Sequence, residues 1–382
     1  MIERIIKLDK YVKKGMTLIL FGARRTGKTT LINQYIENNK TSRRIAKFNG
    51  DNLSVQNNFS QNDIAHLSKL VDGYDTLIID EAQNVKNIGQ SLKILNDEQP
   101  ELEVIVSGSS SFELRGQIGE PLVGRKTTLM LFPFSVEEVL AACNTPRIIA
   151  WQNNLKQYLV YGLYPNSVIA KTNKEREKFL LELVDSLLIK DILTFQDVKG
   201  SDVILKLLRL LAFQIGNEVS MEELGNSLGI SKNTVVRYLD LLEKAFVIFR
   251  LDGFSRNLRN EINKKSKYYF YDVGVRNALI NNFNSLELRD DIGKLWENFV
   301  IVERKKQLSY AEDYRNLYFW RTWEGKEIDL VEEKNGKFTA FEMKWNEKKD
   351  VKIPQQWVDE YGETDFDIVN PENFLQVFQI DS

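Results

Sequence analysis

One cysteine and one histidine in 382 residues remove several kinds of chemistry at once. Cys143 has no partner for an internal disulfide, and together with His66 it cannot assemble a His/Cys metal site, so structural zinc is excluded. No low-complexity tract interrupts the chain. No uninterrupted apolar run reaches the ~18 residues that a membrane-spanning helix needs, and the N-terminal MIERIIKLDKYVKKG carries charges through its apolar positions, so no membrane partner is expected and the cytoplasm is the expected location. A charge excess is missing as well. At a formal net charge of −2 the whole chain has no pull toward nucleic acid, and any basic surface must be local. What remains, 43% apolar and 28% charged residues, is the composition of a folded globular protein, long enough for two or three separate cores.

The first chemistry lies at Gly22-Ala-Arg-Arg-Thr-Gly27-Lys28-Thr29, which fits G-x-x-x-x-G-K-[ST] at every fixed position. It sits between a strand-like run, Thr17 to Phe21, and a helical pattern, Leu31 to Glu37, which is the setting of a phosphate-binding loop. Glycines let the backbone curl so that successive N–H groups face an anion at a helix N-terminus. Gly22, Arg25, Thr26, Gly27, Lys28, Thr29 and Thr30 form the expected ATP-binding set. Lys28 reaches the β- and γ-phosphates, and Thr29 offers a hydroxyl to Mg²⁺.

A second apolar run, Asp75-Thr-Leu-Ile-Ile-Asp80-Glu81, ends in two acids. Asp80 is placed to order Mg²⁺, and Glu81, one residue beyond the strand, to polarise an attacking water, which points to hydrolysis rather than passive holding. The pattern reads as lying on a strand neighbouring that of the loop. A third strand, Leu102 to Val106, ends in serines, of which Ser107 and Ser109 are candidate γ-phosphate sensors or turn formers. A fourth segment, Lys126 to Phe132, returns to the sheet. Arg24, Arg25, Arg115 and Arg125 are candidate γ-phosphate ligands, Arg125 favoured because it directly precedes a core strand. An arginine supplied by a neighbouring subunit would need a homo-oligomer.

From Ser135 to about Gln196 the pattern is helical, as for a lid. Between Ser201 and Phe254 come two helices, a tight turn at Gly229-Ile230, and a third helix capped by Ser231 and running to Lys244, the spacing of a helix-turn-helix. VIFRL and the later YYFYD supply a hairpin wing. Arg256, Arg259, Lys264, Lys265 and Lys267 against Glu261 give a local excess of four positive charges. With Lys232, Asn233, Thr234 and Arg237 at the start of the third helix, this makes DNA a candidate partner. The same module also serves as a spacer or protein-binding element.

After Arg289, an amphipathic helix carries Glu297, and YFWRTWEGKEIDLVEEKNGKFTAFEMKW reads as three strands with turns at Gly325 and Asn335-Gly336. Asp329 lies in the middle strand, and Glu342 and Lys344, two apart on the last, share one face. Two acids and a lysine, with Glu297 completing the shell, suit a metal-dependent phosphodiesterase in an open cleft. A charged sheet edge that keeps the strands soluble has the same residues.

Taken together, GARRTGKTT, LIIDEAQNV, VSGSSSFEL, PLVGRKTTLMLFPFS and FWRTWEGKEIDLVEEKNGKFTAFEMKW resemble a prokaryotic family of AAA-type P-loop ATPases with a winged helix and a C-terminal restriction-endonuclease-like domain of the PD-(D/E)xK type. The resemblance implies an α/β chain: a P-loop parallel sheet (1–134), a helical lid (135–200), a winged helix (201–285) and a nuclease-like domain (286–382). It also implies that Asp329, Glu342 and Lys344 match the family's acid, acid and lysine, and Glu297 its helical acid. Two functions follow as expectations. One is an ATPase driving a DNA-directed machine, with Glu81, Lys28, Arg125, Glu342 and Lys344 as catalytic residues and Thr29, Asp80, Glu297, Asp329 and Glu342 as metal ligands. The other is a signal-transduction-type ATP switch whose last domain only binds a DNA or protein partner.

Overall fold

The structure, a computed structural model, describes residues 2–108, 121–186, 201–255, 266–346 and 351–380. The chain divides into two compact units, one of Arg4–Pro133 with Lys244–Phe246 and the other of Met1–Glu3, Phe134–Glu243 and Val247–Ser382.

The first unit is built on five parallel strands. β1 (Thr17–Phe21), β3 (Thr76–Asp80) and β4 (Glu103–Gly108) are buried along their whole length, which is why they read as near-continuous apolar runs. β2 (Ile45–Asn49) and β5 (Lys126–Met130) flank them in the order β2-β3-β4-β1-β5. Helices α1 (Lys28–Asn39), α2 (Leu53–Phe59), α3 (Ile64–Val71) and α4 (Ile88–Glu98) make the crossovers. The acidic strand is therefore not beside the loop strand. β4 lies between them, with Leu20 opposite Ser107 on one side and Ile79 opposite Val106 on the other. A strand inserted in space but not in sequence leaves no local mark, and it sets Ser107 between the loop and Asp80.

The second unit opens with α5 (Val136–Ala141), begun by a capping box in which the Ser135 hydroxyl accepts from Glu138 N and the Glu138 carboxylate from Ser135 N. α6 (Arg147–Tyr161), α7 (Pro165–Ile169), α8 (Asn173–Ser186) and α9 (Ser201–Phe213) follow. Then come β6 (Glu218–Val219), α10 (Met221–Leu228), α11 (Lys232–Lys244), β7 (Ile248–Gly253), β8 (Ser266–Phe270) and α12 (Val273–Leu279). The 19-residue α13 (Ile292–Tyr310) leads into β9 (Asn316–Arg321), β10 (Glu327–Lys334) and β11 (Lys337–Met343). α14 (Gln355–Tyr361), β12 (Asp365–Val369) and α15 (Phe374–Val377) end the chain.

All seven of these strands form one sheet, β12-β11-β10-β9-β7-β8-β6. The hairpin β7–β8 is antiparallel, and β7 then pairs in parallel with β9 at Asp252↔Tyr318 and Gly253↔Phe319, extended by Phe254 N donating to Phe319 O at 2.7 Å. Asn335 and Gly336 both have positive φ (54° and 75°), as the two-residue turn joining β10 to β11 requires. Apolar packing comes from aromatic residues distant in sequence: Trp151 stacks on Phe374 at 4.8 Å and meets Trp296 and Phe299, all in one core.

Candidate functional site

The phosphate loop follows β1 at the C-terminal edge of its sheet. Gly22 has φ 157°, and a Cβ there would lie 2.2 Å from the Leu131 carbonyl oxygen, so no other residue fits without moving β1 or the segment after β5. Gly27 (φ 99°) caps α1 and Arg25 stands in the left-handed region at φ 62°. Lys28 Nζ donates to the carbonyls of Gly22 (2.8 Å) and Ala23 (2.9 Å), and Thr26 Oγ1 donates to Ala23 O (2.9 Å). The buried Arg4 guanidinium donates to Thr26 O from outside the motif. Thr29 and Thr30 are exposed, and the first turn of α1 directs its backbone N–H groups out of the helix end, where the macrodipole favours an anion.

Beside the loop, a chain of hydrogen bonds links the start of α1 to the ends of β3 and β4. Thr29 Oγ1 donates to Asp80 Oδ2 at 2.8 Å, and Ser107 Oγ donates to Asp80 Oδ1. Glu81 N donates to Ser107 Oγ at 3.3 Å. Glu81 itself is left-handed (φ 53°), and Gly50 packs against its backbone so closely that a Cβ would lie 2.3 Å from Glu81 O. Gln83 Nε2 donates to Glu81 Oε2 at 2.6 Å and so fixes that carboxylate. Thr29 and Asp80 together offer oxygen ligands of the kind Mg²⁺ takes. Ser109 and Arg115 lie outside the described residues. Arg24 is half-buried and Arg25 exposed on the loop. Arg125 pairs with Asp97 and opens β5 at the edge where Thr17 starts β1, roughly 16 Å, or five strand residues, from the loop of its own chain. That position takes it out of reach of a nucleotide bound to its own chain.

The C-terminal acids do converge. β10 and β11 are antiparallel neighbours, and continuing their register one step beyond Leu330↔Phe341 sets Asp329 opposite Glu342. A bulge against β9 between Ile328 and Val331 re-aims Asp329, whose Oδ2 accepts from Met343 N at 2.9 Å. The cleft expected there is closed instead: Glu297, Asp329 and Glu342 are buried. Lys267, counted in the sequence as part of a basic surface, is buried among them. Its Nζ lies 3.1 Å from Glu297 Oε1 and also pairs with Glu327. Tyr269 Oη donates to Glu297 Oε1 at 2.6 Å and Lys294 Nζ to Oε2 at 2.9 Å, while Lys344 pairs with Glu342.

These contacts set the ionisation of the cluster. Burial and the neighbouring carboxylates Glu297 and Glu342 push Asp329 well above the usual carboxylate range. Burial also raises Glu342, against the pull of Lys344. For Glu297 burial is outweighed by Lys267, Lys294 and the Tyr269 hydroxyl, and its carboxyl is held below the usual range. With both Glu297 oxygens taken by cations and a phenol, the residues present do not fit a divalent metal. Among the described residues no group of three or more His, Cys, Asp and Glu side chains is arranged to hold one.

At the start of α11, Lys232, Asn233 and Arg237 are exposed and Thr234 is half-buried, with Lys232 paired to Glu222 at 2.6 Å. Arg256, Arg259, Lys264 and Lys265 lie outside the described residues. No helix among the described residues is long and apolar enough to cross a membrane.

Residues 14–140 match the family model described as an AAA domain. This region is similar to AAA-type P-loop ATPase domains. Residues 152–286 and 292–373 match two models each described as a domain of unknown function, DUF8612 and DUF4143. An uncharacterized protein of Mycobacterium tuberculosis is 27% identical over 344 residues, 88% of this chain and 72% of its own length. One from Haemophilus influenzae is 25% identical over 333 residues, 83% and 79% of the two chains. Among solved structures, AMPPCP-bound DnaA from Aquifex aeolicus aligns with 59% of this chain and 81% of that chain at 15% identity and a TM-score of 0.22. The FIGL-1 AAA domain in complex with ADP aligns with 63% and 76% at 14% identity and a TM-score of 0.25.

Two residues of the first unit escaped the motif reading. Arg4 reaches the loop from 22 positions away, which no local pattern marks. Gln83 stands inside the quoted acidic motif, two residues after Glu81, and that spacing was the available signal.

Proposed function

We propose that the AAA domain hydrolyses ATP in a Mg²⁺-dependent manner and that its cycle serves a DNA-binding surface at the start of α11. The observation that carries the first half is the hydrogen-bonded chain Thr29–Asp80–Ser107–Glu81, which gathers the loop, the acid and the water-orienting carboxylate at one edge of one sheet. Mg²⁺, when bound, would neutralise charge on the phosphate oxygens, and Thr29 and Asp80 are the residues to hold it. Lys28, anchored to two loop carbonyls, supplies a positioned cation. Glu81, fixed by Gln83, polarises water. Calorimetry of ATP binding with and without MgCl₂ tests this reading: Lys28→Ala should lose binding, and Glu81→Gln should keep binding while turnover falls roughly a hundredfold or more. Unchanged affinity in Lys28→Ala would overturn it.

The second half rests on exposed Lys232, Asn233 and Arg237. DNA affinity should fall with salt, and Lys232→Ala with Arg237→Ala should flatten that slope by about two counterions. Two observations favour the switch with a protein-binding module instead: Lys267 is withdrawn into an ion pair, and Lys232 already has Glu222. Affinity for DNA that ignores salt concentration would decide for the switch.

A further inference from the structure

Four carboxylates and three lysines are linked in the second unit, from the buried Lys267 and Glu297 out to the partly exposed Lys294 and Lys344: Glu297, Glu327, Asp329 and Glu342 with Lys267, Lys294 and Lys344. Lys344, Asp329, Glu342 and Glu297 belong to the acid-acid-lysine frame read from the sequence. Lys267 does not. It enters from β8, a strand of the neighbouring hairpin, and it does so with Tyr269 two residues on, so both project from one face of that strand onto the same oxygen, Glu297 Oε1.

Lys267 is wholly inaccessible, at 0% side-chain exposure, and its ammonium stands 5.1 Å from the centroid of the Phe319 ring. A side chain so placed cannot swing to solvent when another cation arrives. Divalent ions need oxygen ligands at about 2.0–2.6 Å, which would force such an ion against a fixed ammonium already bonded to Glu297 and Glu327. Like charges at that spacing in a poorly polarisable interior repel strongly. The lysine and the metal are therefore alternatives.

We infer that Lys267 is the resident cation of this acidic site, standing among Glu297, Glu327 and Asp329 where a phosphodiester-cleaving site would hold a divalent metal. The domain then keeps the frame of a nuclease site as a fixed binding scaffold whose shape does not depend on metal concentration. Removing the lysine's charge opens the same carboxylates to Mn²⁺ or Mg²⁺.

The test uses full-length, nucleotide-free protein titrated with Mn²⁺ and read by the electron paramagnetic resonance of the free ion, so ATP turnover plays no part in it. Wild type and Asp329→Asn should take up Mn²⁺ identically. Lys267→Met should gain a site that binds roughly a hundredfold more tightly than anything those two show, and Lys267→Met/Asp329→Asn should lose it. Mn²⁺ should also raise the melting temperature of Lys267→Met in proportion to the logarithm of its concentration, with no matching shift in wild type. Greater uptake by wild type than by Asp329→Asn overturns the inference, as does a folded Lys267→Met that gains nothing. Should Lys267→Met fail to fold even in Mn²⁺, the wild-type and Asp329→Asn pair decides alone, equal uptake supporting the resident lysine and unequal uptake refuting it.

Discussion

Gln83 shows what a single side chain can add to a motif. Its amide holds one Glu81 oxygen at 2.6 Å, so the carboxylate keeps one orientation before any water arrives. Gln83→Ala should lower kcat about tenfold with ATP affinity unchanged, because an orienting contact acts mainly in the transition state; steady-state kinetics paired with calorimetry will separate the two. Arg4 acts on binding. Its guanidinium steadies the Thr26 carbonyl within the loop, and Arg4→Ala should weaken ATP about tenfold, the worth of one charge-assisted hydrogen bond. The meeting of Lys28, Thr29 and Asp80 was legible in the sequence because the loop is one contiguous motif and the acid ends an apolar strand run. Lys267 was not, because its partners Glu297 and Glu327 lie 30 and 60 positions away and only the fold turns an apparent surface lysine inward.

The elements divide in the same way. The end of α10 and the start of α11 could be read from Gly229 and Ser231, since a left-handed turn and a cap are local chemistry: Gly229 has φ 67°, and Ser231 Oγ accepts from Thr234 N. The place of β4 between β1 and β3 could not, because strand order is decided by packing across the sheet. α11 also carries a testable pH dependence at Glu243. Burial first, and then Asp240 and Asp252, push this carboxyl up to about 7 against the attraction of Arg250. A carboxyl raised on folding is protonated more readily in the native state, so its contribution to stability is complete below the unfolded value and is lost as pH rises through 7. Thermal unfolding should therefore show stability falling between about pH 5 and 8, and Glu243→Gln should flatten that slope and raise the midpoint at pH 8 by roughly 2–4 °C.

At the scale of the molecule, the continuous seven-stranded sheet has the widest consequences. β7 and β9 pair across the division between residues 285 and 286 that the family resemblance implies, and α13 brings Trp296 and Phe299 to Trp151 from beyond it. A chain stopped after Leu288 would leave β7 as an uncovered edge at Asp252 and Gly253 and strip Trp151 of three aromatic neighbours, Trp296, Phe299 and Phe374. Such a truncation should partition to the insoluble fraction far more than the full chain, as sedimentation of lysates would show. The seam itself is short. Two register pairs and the Phe254–Phe319 bond join β7 to β9, where β11 and β12 share five pairs. Within the sheet that makes it a mechanical fuse: tension applied between anchors on β8 and β12 meets the fewest bonds there, and an optical-tweezer trace should yield first at this line, with the β9–β12 ladder holding to a later and higher force.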